Sequence, residues 1–162
     1  MAFTNRYLGS VTLVLALVGL ILGTSAPTMS AAGSNKLAGT WLMNITATNC
    51  QTGLALGTFS SLYSFADGGT LTNITNGASP SVRSPGLGSW KPTGDHTFKS
   101  VSMALVFSAG GVWTGTQKIA NTFEILDDRD ALTGSVSVEI YNTSGSLAST
   151  MCAALVGQRI EP

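Results

Sequence analysis

The sequence predicts an all-β protein, an eight-stranded antiparallel up-and-down barrel. Three observations carry that expectation. From Leu37 onward the apolar residues recur with a period of two rather than 3.6. Short turn-forming clusters punctuate the chain, and no amphipathic helical pattern appears after the leader. The only two cysteines, Cys50 and Cys152, fall at the end of the first strand-like segment and within the last. A bridge between them would fasten the first strand to the eighth and close the sheet, leaving no exposed edges. A two-sheet sandwich is the competing architecture, because strand alternation alone does not separate the two.

The segments follow in order. Trp41, Met43, Ile45 and Ala47 alternate with Thr40, Asn44, Thr46 and Thr48 in the first strand. Phe59, Tyr63 and Phe65 share one face of the second, with Ser60 and Ser64 on the other. Asp67-Gly68-Gly69 supplies a tight hairpin turn, and Leu71 to Thr75 forms a short third strand. Asn76 to Pro85, rich in Gly, Ser and Pro, reads as an irregular loop. Gly86 to Lys91 resumes as a strand around Trp90, and the turn Pro92-Thr93-Gly94-Asp95 leads into Thr97 to Phe107. Gly110-Gly111 then turns into a long strand, Val112 to Leu126, with Trp113, Ile119, Phe123 and Ile125 in register. Asp127-Asp128-Arg129-Asp130 turns the chain again. Leu132, Val136, Val138 and Ile140 build the seventh strand, and Leu147 to Ile160 the eighth.

Residues 1–32 read as a signal peptide and 33–162 as the barrel domain. Arg6 supplies a positive start, and Leu8 to Leu22 form an apolar run of roughly 15 residues, short of the about 20 a spanning helix needs. Ser30-Ala31-Ala32 offers the small residues of a cleavage site, with Ala26 as the alternative. The expected location is therefore extracytoplasmic, periplasmic or secreted, where a disulfide is stable. No stable membrane insertion is expected once the leader is removed.

Composition narrows the partners. Lys and Arg number 8 against 8 Asp and Glu, so the chain lacks the basic footprint that phosphate neutralisation requires, and nucleic acid is not expected. Catalytic constellations are sparse. The sole histidine, His96, lies beside a turn, and with both cysteines bridged the usual zinc ligand set cannot be assembled. No nucleophile-elbow motif is present. Asp127, Asp128 and Asp130 lack the spacing of a calcium loop and fit turn chemistry. Glu124, Glu139 and Lys118 fit cross-strand surface charges. Asn44-Ile45-Thr46, Asn73-Ile74-Thr75 and Asn142-Thr143-Ser144 match the glycosylation pattern, a short motif that Thr-rich strands generate by chance. No catalytic residue, metal or cofactor is expected.

The face expected to point inward is apolar with a few polar groups, the composition of small-molecule cavities. Trp41, Met43, Tyr63, Phe65, Trp113, Gln117 and Phe123 are the candidate lumen residues, with Ile45, Phe59, Ser61 and Val138 in the same register. The functional expectation is a non-catalytic barrel binding a small, largely apolar molecule in its lumen. An interaction module with a filled core is the alternative. It would use the loop 78–88, whose only charge, Arg83, would be the contact. A cyclase- or isomerase-like enzyme is the third reading.

Gly39-Thr40-Trp41 resembles the G-x-W motif that opens the first strand of lipocalins and the wider calycin group, avidins included. The lipocalin T-D-Y triplet is absent. The resemblance implies that Trp41 plugs one end of the barrel and that a late basic residue, Arg159, packs over it. A second resemblance covers most of the chain after the leader. Asn49-Cys50-Gln51-Thr52-Gly53, Arg83-Ser84-Pro85-Gly86-Leu87-Gly88-Ser89-Trp90 and Thr93-Gly94-Asp95-His96-Thr97-Phe98 are similar to small exported bacterial proteins of unassigned function. It implies a barrel of the calycin or allene-oxide-cyclase type and supplies no substrate.

Overall fold

A computed structural model describes residues 36–126 and 130–162. Among them lie eight strands: β1 (Gly39–Thr48), β2 (Ala55–Phe65), β3 (Thr70–Thr75), β4 (Gly86–Pro92), β5 (Thr97–Phe107), β6 (Trp113–Ile125), β7 (Ala131–Asn142) and β8 (Leu147–Arg159). Each pairs antiparallel with the next, and β8 returns to β1 to close the barrel. The closing ladder runs from Trp41 opposite Arg159 to Thr48 opposite Cys152. The sandwich alternative is thereby set aside. The proposed leader and the pair Asp127 and Asp128 lie outside the described residues.

The covalent seal is where the cysteine placement put it. Cys50 and Cys152 form a disulfide, 102 residues apart in sequence and 5.1 Å apart between Cα atoms.

The two ends of the barrel differ. The start of β1, the end of β8 and the β2–β3 and β4–β5 turns gather at one end, which is closed by side chains. Leu37, Trp41, Phe65, Leu71, Trp90, Phe98, Phe123, Ile125 and Leu132 are all buried there. Their rings touch in sequence: Phe65 meets Phe123 edge-on at 5.4 Å and Trp90 at 5.9 Å, and Trp90 meets Phe98 at 5.9 Å. Such pairs add about 0.5–1.5 kcal/mol each beyond the area they bury.

Trp41 anchors this end. It is fully buried, and its Nε1 donates to the Leu37 carbonyl at 2.9 Å. The Arg159 guanidinium lies 4.3 Å from its ring centroid, the geometry of a cation–π contact, and donates to the carbonyls of Ala38 and Lys36 at 2.6 Å. Gly39 explains the first letter of the motif. Its φ is +123°, and a Cβ there would stand 2.8 Å from Arg159 Nη1. Only glycine lets the arginine reach over the tryptophan.

At the other end the ladders are irregular. Register shifts interrupt β1/β2 at Ala47/Thr48, β5/β6 at Val106/Phe107 and β7/β8 at Ile140/Tyr141, all at this open end. Bulges of this kind bend a strand and are common at barrel rims. One of them corrects the placement of Trp113. The alternation puts it in the lumen, but past the Val106/Phe107 shift it is 45% exposed and donates Nε1 to the Gly115 carbonyl at 2.6 Å.

The outer wall of β6 and β7 carries the expected surface charges. Lys118 pairs with Glu139 at 2.8 Å across the ladder, and the Tyr141 hydroxyl donates to the same carboxylate at 2.7 Å.

Candidate functional site

Between the aromatic end and the open rim, the interior changes character. β1, β7 and β8 present Ile45, Val136, Val138, Ala153 and Leu155, whereas β3, β5 and β6 present Asn73, Ser100, Ser102 and Asn121, all buried. Burying such groups is costly unless they bond to one another, and here they pair across strands. Asn73 Nδ2 donates to Ser102 Oγ at 2.8 Å, and Asn121 Nδ2 donates to Ser100 Oγ at 2.9 Å. Asn73 fits because β4 carries Gly86 opposite it; a Cβ there would lie 2.7 Å from the Asn73 amide. Buried and bonded, Asn73 is no glycan acceptor. Asn121 Oδ1 finds no hydrogen-bond donor among the described residues at full bonding geometry, although the Tyr63 hydroxyl lies near enough for the amide to influence its ionisation.

Arg83 completes this layer, and its position overturns the expectation of an exposed loop contact. It is 8% exposed. The cause is a non-local ladder. Arg83 bridges to Val106 of β5, Ser84 N–H donates to the Leu105 carbonyl, and Phe107 N–H donates to the Val82 carbonyl. Residues 82–84 thus run as a detached prolongation of β4 and aim the Arg83 side chain inward. Its Nε donates to Gln117 Oε1 at 2.6 Å, Nη2 to Asn73 Oδ1 at 3.1 Å and Nη1 to the Ser84 carbonyl at 3.2 Å. All three acceptors are neutral. Burial lowers the pKa of the guanidinium from its ordinary value, yet arginine stays ionised in proteins.

The same ladder splits the wall. β3 pairs with β4 only as far as Asn73 opposite Gly86. Beyond that point Ile74 and Thr75 pair with β2 alone, while residues 82–84 keep to β5. Loop residues 76–81 cross the split, and the Arg83 side chain stands in it.

Two cavities meet at Arg83. The inner one, about 100 Å³, is lined by Ile45, Phe59, Ser61, Tyr63, Asn73, Gln117, Val138 and Met151 among others. The outer one, about 560 Å³, lies under the loop and against the outer face of β1–β3, lined mainly by Leu42, Leu62, Ile74, Ala78, Pro80 and Pro85. Leu42 stands opposite Leu62, and Leu62 opposite Ile74, so the three make one apolar row across adjacent strands. Arg83 lines both cavities.

The expected lumen set therefore divides. Tyr63 and Gln117 line the inner cavity. Trp41, Met43, Phe65 and Phe123 pack the closed half as core, and Trp113 is outside. The periodicity did not single out Asn73, Asn121, Ser100 or Ser102, nor the outer row. Three large apolar residues at outward positions of neighbouring strands were the available signal.

Tyr63 is the titratable probe of this layer. Burial pushes its pKa from 10.0 up to about 12, against smaller opposing pulls from the Arg83 charge and the Asn121 amide. An acid whose folded pKa is raised stabilises the fold below its unfolded pKa, and that contribution is lost as pH climbs from about 10 to about 12. The loss is roughly 2–3 kcal/mol at 1.36 kcal/mol per unit. Chemical denaturation between pH 9 and pH 12 is expected to show this decline, and Tyr63→Phe should flatten most of it.

Among the described residues no group of three His, Cys, Asp or Glu is placed to hold a metal ion, and no helix is long and apolar enough to cross a membrane. No protein-family model and no curated protein matches the chain.

Proposed function

We propose that this chain is a small extracytoplasmic barrel of calycin type that binds, without catalysis, a small and largely apolar ligand at its open half. The observation that carries this reading is the apolar cavity of about 560 Å³ at the split wall, within the about 300–1,000 Å³ that small-molecule sites occupy. The inner cavity of about 100 Å³ falls below that range. The body of the ligand therefore belongs in the outer groove, with the lumen receiving at most one end of it. The calycin likeness is supported by the Gly39, Trp41 and Arg159 arrangement, and an oxidising location by the disulfide.

Native mass spectrometry of the protein with a panel of fatty acids, fatty alcohols and aromatic compounds tests the reading. One-to-one adducts are expected, and Leu62→Glu, which places a charge in the groove on an exposed strand position, should abolish them. An absence of adducts across the panel would reject it. The alternative, an interaction module using residues 78–88, draws support from the filled aromatic half of the barrel. Deleting residues 78–81 and finding partner recovery lost while small-molecule adducts never form would favour it.

A further inference from the structure

We propose that the ligand is an amphipathic monocarboxylate, with its head group on Arg83 and its hydrocarbon body along Leu42, Leu62, Ile74, Pro80 and Pro85. The inference rests on the ligand-binding reading above and adds the chemistry of the head group. Its basis is a charge without a counter-charge. Among the described residues, Arg83 is the only Lys, Arg, Asp or Glu lining either cavity, and it is buried. A guanidinium has five N–H donors. Three meet neutral acceptors here, on Gln117, Asn73 and Ser84, which leaves two, one on each terminal nitrogen.

A buried cation held only by neutral groups is poorly compensated, and its removal from water is costly. A carboxylate supplies the missing charge and accepts from paired N–H groups in the fork geometry that distinguishes arginine from lysine. A single cation suits a monoanion. A phosphate dianion would call for a second positive group, and neither cavity has one among the described residues. The groove that leads to this cation is apolar, so the rest of the molecule is hydrocarbon.

Calorimetric titration of the full chain with decanoate and with decan-1-ol tests the inference. The two share a ten-carbon body and differ in the head group. Wild type is expected to bind decanoate about tenfold or more tightly than decan-1-ol, the scale of a charge-assisted hydrogen-bonded pair. Arg83→Met should bring the two affinities within about twofold by weakening decanoate alone, with retained decan-1-ol binding showing that the groove is intact. Arg83→Lys, which keeps the charge without the fork, should retain part of the preference and serves if the methionine variant does not fold. Equal binding of both compounds by wild type would overturn the carboxylate inference and leave the apolar-ligand reading standing. An undiminished preference in Arg83→Met, or in Arg83→Lys where that variant is the one read, would also overturn it. Binding of neither compound would remove both.

Discussion

Trp41→Ala is expected to destabilise the barrel by about 3–5 kcal/mol, the range for removing a large aromatic side chain from a packed core. At this chain length that is a fall in melting temperature on the order of 10–20 °C. The effect comes from three losses at one position. The indole is fully buried beside Leu37, Phe65 and other closed-end residues of the same core. Its Nε1 bond satisfies the Leu37 carbonyl, which holds the entering chain against the barrel end. Its ring face also receives the Arg159 guanidinium, which ties Lys36 and Ala38 to the end of β8. Trp41→Phe keeps most of the buried area and loses the N–H donor, so a smaller cost of about 1–2 kcal/mol is expected. Urea denaturation of the two variants measures both numbers. A Trp41→Ala protein within about 1 kcal/mol of wild type would contradict the anchoring role given to this end.

Replacing Cys50 and Cys152 together by alanine is expected to cost about 2–5 kcal/mol, with about 4.7 kcal/mol as the chain-entropy value for a loop near 100 residues. The bridge spans 102 residues, nearly the whole barrel. Cys50 is exposed and Cys152 half-buried, so alanine leaves no core cavity, and the measured change reports the crosslink with little packing loss. Against a total of about 5–15 kcal/mol, this is the difference between a durable fold and a marginal one. The ladder from Trp41/Arg159 to Thr48/Cys152 needs no sulfur, so the double variant should keep the same circular dichroism spectrum at low temperature. Thermal and urea midpoints measured with and without reductant check this: reductant should lower the wild-type midpoints towards those of the variant and leave the variant unmoved.

The strands were legible because their alternation is local. Thr97–Phe107 has the observed bounds, and most other boundaries lie within about two residues of the expected ones. β2 begins earlier than its pattern suggests, at Ala55, because Ala55, Gly57 and Thr58 pair only with β1 and stay exposed. No inside-outside contrast marks them. Trp113 was misplaced for a related reason: a bulge is a property of two paired strands and leaves no trace in the periodicity of one. Arg83 shows the limit most clearly. A charged residue in a loop rich in Ser and Pro reads as a surface contact. Its burial depends on bonds to Leu105 and Phe107, more than 20 residues away. The apolar row of Leu42, Leu62 and Ile74 was visible in each strand as an outward exception, but became a groove only once three strands were aligned in register and the 76–85 loop was laid over them.

In the proposed mode of binding the split side of the barrel receives the ligand, while the aromatic side is solid core. Amide chemical-shift mapping during titration with decanoate tests this placement. Shifts should concentrate on Leu62, Ile74, Ala78, Arg83 and Ser84, with Trp41, Phe98 and Phe123 unmoved. Shifts centred on Trp41 and Phe123 would mean that the packed end opens to receive the molecule, and the assignment of the site to the split wall would be wrong.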